Sequence, residues 1–186
     1  MDGWKILLHC CCAVCASSCI ERLLGEGFAV TLFFSNSNIA PQEEYDRRLD
    51  AMRKLAGITG LELIVDGYDH AAWRRAVAGL EAEPERGKRC PECFRYSLRR
   101  TSERAAALGI ARFTTSLTVS PLKDSRTIFA VGSAFPGFEA IDFKKHDGYL
   151  RSGILAREYG LYRQKYCGCE FSFRPGAVPA ATGGGR

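Results

Sequence analysis

The chain has no apolar run approaching the ~20 residues that cross a bilayer, so no membrane-spanning helix is expected. Its start, Met1-Asp2-Gly3-Trp4-Lys5, lacks the basic opening, long apolar stretch and small-residue cleavage site of a secretory signal. A cytoplasmic protein with no membrane partner is the expectation. There is no internal repeat and no linker, which leaves one domain over residues 1–173. Residues 174–186 are rich in Pro, Gly and Ala with little to bury, and read as a disordered tail. Charge of one sign is only slightly in excess. A net charge of +5 and a pI near 8.8 permit an RNA or phosphate partner without reaching a strongly basic domain.

What the chain does have is sulfur. Nine cysteines occur in 186 residues. Most fall into tight groups: Cys11-Cys12-x-x-Cys15, Cys90-Pro-Glu-Cys93 and Cys167-Gly-Cys169, with Cys10 and Cys19 flanking the first. In a reducing cytosol, grouped thiols more often bind metal or do chemistry than form structural disulfides. The odd count also argues against a complete disulfide framework.

Short apolar runs alternate with helical patterns. Strands are expected at Lys5–His9, Ala29–Phe34, Leu61–Val65, Phe113–Leu117 and, short, Glu139–Phe143. Helices are expected from Cys15 to Leu24, Pro41 to about Ala56, Asp69 to Leu80, Cys93 to Leu108, Lys123 to Val131 and Gly148 to Tyr159. This order predicts a single α/β domain, Rossmann-like, with a mainly parallel sheet and helices on both faces. Ligands of such sheets bind beyond the carboxyl ends of the strands. The first cysteine group follows strand one and the loop from Ser116 to Ser120 follows strand four, so a metal site is expected at that edge.

The loop after strand one, His9 to Cys15, has neither the glycines nor the lysine of a phosphate loop. Sulfur takes their place, and the following helix N-terminus favours thiolates. Cys10 and Cys19 read as small buried hydrophobes. Adjacent Cys11 and Cys12 project differently, and reach separate corners of an iron–sulfur cluster more readily than two sites on one zinc ion. With Cys90 and Cys93 they favour a [4Fe–4S] set, structural zinc staying open. Cys167 and Cys169 can close a small, strained, labile disulfide ring, with Gly168 supplying backbone freedom. Further metal ligands or inert thiols are the other readings. The run Tyr162-Arg163-Gln164-Lys165-Tyr166 suits phosphates and bases.

Together these segments resemble epoxyqueuosine reductases of the QueH type. The similarity runs through Leu7 to Cys15, Asn36 to Ile39 with Glu44-Tyr45, Arg89-Cys90-Pro91-Glu92-Cys93-Phe94, Phe113 to Lys123, Asp142-Phe143-Lys144-Lys145 and Tyr159 to Ser172. Val14 stands where that family usually has Pro, and Cys10 turns its usual cysteine pair into a triplet. The resemblance implies reduction of the epoxide of epoxyqueuosine at the wobble position of a tRNA, the last step of queuosine synthesis. It implies that Cys11, Cys12, Cys90 and Cys93 hold a [4Fe–4S] cluster, that Cys167 and Cys169 are a redox-active pair, and that Cys15 is a candidate for a second iron. The partners implied are tRNA carrying epoxyqueuosine and an external electron donor.

Lys123, Asp124, Lys144, Lys145, Arg163 and Lys165 are candidates for tRNA phosphate contacts. His146 and Asp147 are candidate proton donors. A zinc-stabilised RNA-binding module without catalysis is the main rival reading. A metal-free thiol–disulfide oxidoreductase and an ATP-pyrophosphatase-like enzyme are the others, the last disfavoured by the missing phosphate loop.

Overall fold

The computed structural model describes residues 4–173, so the expected tail, 174–186, lies outside the described residues. Within them, four strands form one parallel sheet: β1 (Lys5–His9), β2 (Ala29–Phe34), β3 (Leu63–Val65) and β4 (Phe113–Thr115), in the order β3-β2-β1-β4. Alternation along the strands gives the sheet two buried faces. Ile6 and Leu8 of β1, with Val30, Leu32 and Phe34 of β2, point into one core. Leu7, Phe33 and Phe113 point into the other.

Six helices fill out the α/β order: α1 (Ala13–Gly25), α2 (Gln42–Thr59), α3 (His70–Ala76), α4 (Arg89–Ala107), α5 (Ser125–Gly132) and α6 (Gly148–Glu158). Helices α1, α2 and α6 pack on one face, and α4 and α5 on the other. The expected single α/β domain with helices on both faces is therefore the observed one. The strand order reverses at β1, so a crevice opens between the loops that leave β1 and β4.

The expected fifth strand does not form. One parallel bridge, Phe113 to Phe138, is made, and then the segment leaves the sheet. Thr114 Oγ1 donates to the Glu139 carbonyl at 2.9 Å and Thr118 Oγ1 to that of Ile141 at 2.9 Å. Hydroxyls thus take carbonyls that a ladder would have used. Several boundaries also move, two of them by four residues. Helix α3 ends at Ala76 rather than Leu80, and α4 begins at Arg89 rather than Cys93. The second shift places both Cys90 and Cys93 in one helical turn, three residues apart and on one face.

Candidate metal and thiol site

The loop after β1 is held from three directions. His9, buried at the end of β1, pairs its Nδ1 with Thr115 Oγ1 at 2.9 Å and its Nε2 with the Ser35 carbonyl at 3.1 Å. It ties together the carboxyl ends of three strands. Burial drives its pKa down to about 4, so it is a neutral clamp. Asn36 Nδ2 donates to the Cys10 carbonyl at 2.8 Å.

From that base the cysteines diverge. Cys10 continues the inward face of β1 and is fully buried, its thiol donating to the Leu8 carbonyl at 3.3 Å. Cys19 lies in the same core. Burial pushes both thiols well above their ordinary range. Cys11, Cys12 and Cys15 turn the other way, and their sulfurs all lie within 4.8 Å of one another. Cys12 caps α1, accepting from the Cys15 N–H at 3.4 Å. Donation from the Cys11 and Cys15 thiols, helped by that N–H, holds Cys12 well below the usual thiol range despite burial. Being the donor to Cys12 lifts Cys11 to about 12, and Cys15, donating first to Cys11 and then to Cys12, rises well above the usual thiol range.

Helix α4 supplies the facing pair. Arg89, fully buried, donates to the carbonyls of Leu80, Glu81 and Glu83 and so folds the preceding loop. That loop delivers the Arg86 N–H to Cys90 Sγ at 3.2 Å. Cys93 accepts from the indole of Trp73 at 3.3 Å. Burial raises both thiols, Cys93 to about 12.

The Cys167-Gly168-Cys169 segment closes the site. Arg48 of α2 donates to the Tyr166 carbonyl at 2.9 Å and the Cys167 carbonyl at 3.1 Å. The Gly168 carbonyl accepts from Ala40 N–H at 2.9 Å. Beyond it, Glu170 meets His70 at 3.1 Å and Arg74 at 3.4 Å. Donation from the Cys169 thiol brings Cys167 down to about 6, with the Lys123 charge adding to it, while Cys169 rises in return. A lowered thiol beside a raised one is an arrangement that can support thiol–disulfide exchange. Gly168 sits at φ +107°, and a Cβ there would lie 2.9 Å from Ile39 Cγ1 and 3.0 Å from Arg48 Nη1. Gly168→Ala is therefore expected to cost about 1–3 kcal/mol, read by anaerobic urea unfolding, and to slow alkylation of Cys167 at neutral pH.

A cleft of about 1360 Å³ gathers these groups: Cys11, Cys15, Cys90, Cys93, Cys167 and Cys169 all line it. Cys12 sits just behind, buried. Lys123, from the loop between β4 and α5, also lines the cleft. Burial alone would lower its pKa, but the charges of Cys11, Cys167, Cys15 and Cys12 reverse the shift and keep it an ammonium. Among the other phosphate-contact candidates, Lys144 Nζ is occupied by the carbonyls of Ser120 at 3.2 Å and Lys123 at 2.8 Å, which fixes the Lys123 loop. The Asp124 carboxylate caps α5. Lys165 lines the cleft, whereas Arg163 and Lys145 are exposed outside its lining. His146 and Asp147 lie on an exposed turn at φ 56° and 57°, also outside it, so the structure does not bring them to the sulfurs.

The donor set fits thiolate-bound metal. Each of Cys11, Cys12, Cys90 and Cys93 receives a donor of its own: the Ser116 hydroxyl at 3.2 Å, the Cys15 N–H, the Arg86 N–H and the Trp73 indole. Outer donors of this kind orient sulfur ligands and stabilise their charge. Sequence reasoning missed Arg48 and Trp73. Arg48 had no local signal, and a buried tryptophan looks like any core residue.

Comparison with known proteins gives the family. The family model for epoxyqueuosine reductase QueH matches residues 6–175. Curated relatives bearing that name include one from Streptococcus pyogenes, 40% identical over 180 residues, covering 90% of this chain and 70% of the relative. Another, from Haemophilus influenzae, is 34% identical and covers 91% and 72%. One from Dehalococcoides mccartyi is 34% identical and covers 90% and 92%. The chain, an α/β oxidoreductase with its thiols gathered at the carboxyl edge of a parallel sheet, belongs to the epoxyqueuosine reductase QueH family.

Proposed function

We propose that this protein reduces epoxyqueuosine to queuosine at the wobble position of tRNA. The observation that carries the reading is the meeting, in one cleft, of metal-type cysteines with a separate vicinal thiol pair. Cys11, Cys12, Cys90 and Cys93 would hold a [4Fe–4S] cluster, and Cys15, beside Cys11 and Cys12, is the residue for an additional iron. When bound, that group supplies Lewis acidity toward the epoxide oxygen and one-electron transfer.

The chain's own residues account for the rest of the balance. Converting an epoxide to an alkene takes two electrons and two protons, and the oxygen leaves as water. With Cys167 a thiolate, the Cys167/Cys169 pair supplies two electrons and one proton on closing to a disulfide, and the Lys123 ammonium supplies the second proton. An external electron donor then restores the dithiol. Lys123 Nζ, charged and facing both sulfur groups, delivers a proton to the oxygen, in place of His146. Lys165 and Tyr166 line the cleft where the anticodon strand would enter. Tyr166 stays a neutral phenol, its pKa raised to about 12 by burial, and offers a face for a base.

The test is anaerobic purification, iron and sulfide quantification, and an assay on epoxyqueuosine-containing tRNA. Iron, sulfide and conversion to queuosine are expected together. Zinc in place of iron, without turnover, would support the RNA-binding reading; full activity without iron would remove the cluster from the mechanism.

A further inference from the structure

Trp73 is fully buried, although α3, which carries it, is one of the shortest helices and its neighbours Arg74 and Arg75 are exposed. Its ring stacks between His70, at 5.2 Å and 22°, and Phe171, at 6.1 Å and 25°. His70 is itself fixed, Nδ1 to the Ser37 carbonyl at 2.8 Å and Nε2 to Glu170 at 3.1 Å. The indole therefore has little freedom to turn. A buried indole N–H needs an acceptor, and carbonyl oxygen is the common one. Here, among the described residues, its acceptor is sulfur, Cys93 Sγ at 3.3 Å. An indole N–H makes a weak bond to a neutral thiol and a charge-assisted one to a thiolate. Such a placement does most for the protein when Cys93 is a metal-bound thiolate.

We infer that Trp73 acts through Cys93 as the residue that sets how readily the metal centre accepts an electron. The inference rests on Cys93 being a ligand of that centre. One-electron reduction adds one negative charge, part of which falls on the thiolate sulfurs. A donor to sulfur stabilises the electron-rich form more than the oxidised one and raises the midpoint potential. The proton stays on the indole nitrogen throughout. Trp73 is buried and rotationally locked, whereas the Arg86 N–H belongs to an exposed loop.

The test is a dithionite titration of the protein reconstituted anaerobically with ferrous iron and sulfide, followed by electron paramagnetic resonance. Trp73→Phe keeps an aromatic ring and removes the donor, so its midpoint should be more negative at unchanged iron and sulfide content. The chain has two tryptophans, and Trp4 is exposed. In a Trp4→Phe background, replacing the remaining tryptophan by 5-fluorotryptophan strengthens the N–H donor with almost no change of shape. Its midpoint should be less negative than that of Trp4→Phe alone, a shift of opposite sign that a packing role would not give. Midpoints that coincide across these proteins, with iron retained, overturn the inference alone. Failure of the unsubstituted protein to hold iron overturns the ligand set and this inference with it. If Trp73→Phe does not fold, the sign of the fluorotryptophan shift decides.

Discussion

Cys167→Ser should leave iron and sulfide at the content of the unsubstituted protein and lower turnover of epoxyqueuosine-tRNA by on the order of 10³-fold or more, the scale on which removing a reacting side chain acts. The two parts of that result follow from separate anchoring. Cys167 is carried by a segment held through backbone carbonyls, to Arg48 and Ala40, and its own sulfur is partnered by Cys169. The proposed ligands hang from the β1–α1 loop and the first turn of α4. A hydroxyl at 167 keeps the backbone bonds but cannot close a disulfide, so the dithiol's two electrons are lost while the metal donors stay in place. Cys90→Ser should do the reverse and strip iron, because the Arg86 N–H and one corner of the donor set lose their sulfur. Iron analysis and single-turnover assays on the two variants check both halves. Iron lost with Cys167→Ser would make Cys167 a ligand and end the assignment of the pair to redox chemistry.

Arg48→Ala should destabilise the fold by about 3–5 kcal/mol, the range for removing one partner of a buried ion pair. Arg48 and Glu44 have side chains only 2% and 6% exposed, with Arg48 Nε 2.8 Å from Glu44 Oε1. The same guanidinium spends its other donors on two carbonyls and lies 5.3 Å from the Tyr166 ring. Glu44 also accepts from Tyr162 at 2.8 Å. Truncation strands a buried carboxylate and releases the thiol-bearing segment at once. In a domain of this size the melting temperature should fall by roughly 10 °C. Arg48→Lys should recover only part of the loss, since an ammonium cannot satisfy a carboxylate and two carbonyls with one planar fork. Anaerobic urea unfolding measures the first effect. Loss of rapid Cys167 alkylation at neutral pH measures the second. A loss under about 1 kcal/mol would show the pair to be dispensable.

Much of this molecule is legible in its residues taken in order. Period-two and period-3.6 patterns mark the four strands and six helices of the described residues, because burial against a two-faced core imposes those periods directly. The cysteine groups, and the reading of Cys10 and Cys19 as core residues, are also visible there. The Glu139–Phe143 segment misleads because its apolar pattern is that of a strand, while Thr114 and Thr118 from elsewhere in the chain take its carbonyls. The α4 boundary misleads because Pro91 resembles a loop residue but is tolerated in a first helical turn.

What the order of residues determines by itself is local: an alternating α/β chain with soft-metal donors placed just after β1 and at the start of α4. Tertiary structure decides which sulfurs face one another, that Lys123 turns inward between them while His146 and Asp147 stay outside, and that Arg48 and Trp73 reach the thiol segments from α2 and α3. The physical reason is range. Periodicity and capping act within a few residues, whereas a buried charge or an indole N–H must find its partner wherever the packed chain brings one, here more than a hundred residues away for Arg48 and twenty for Trp73.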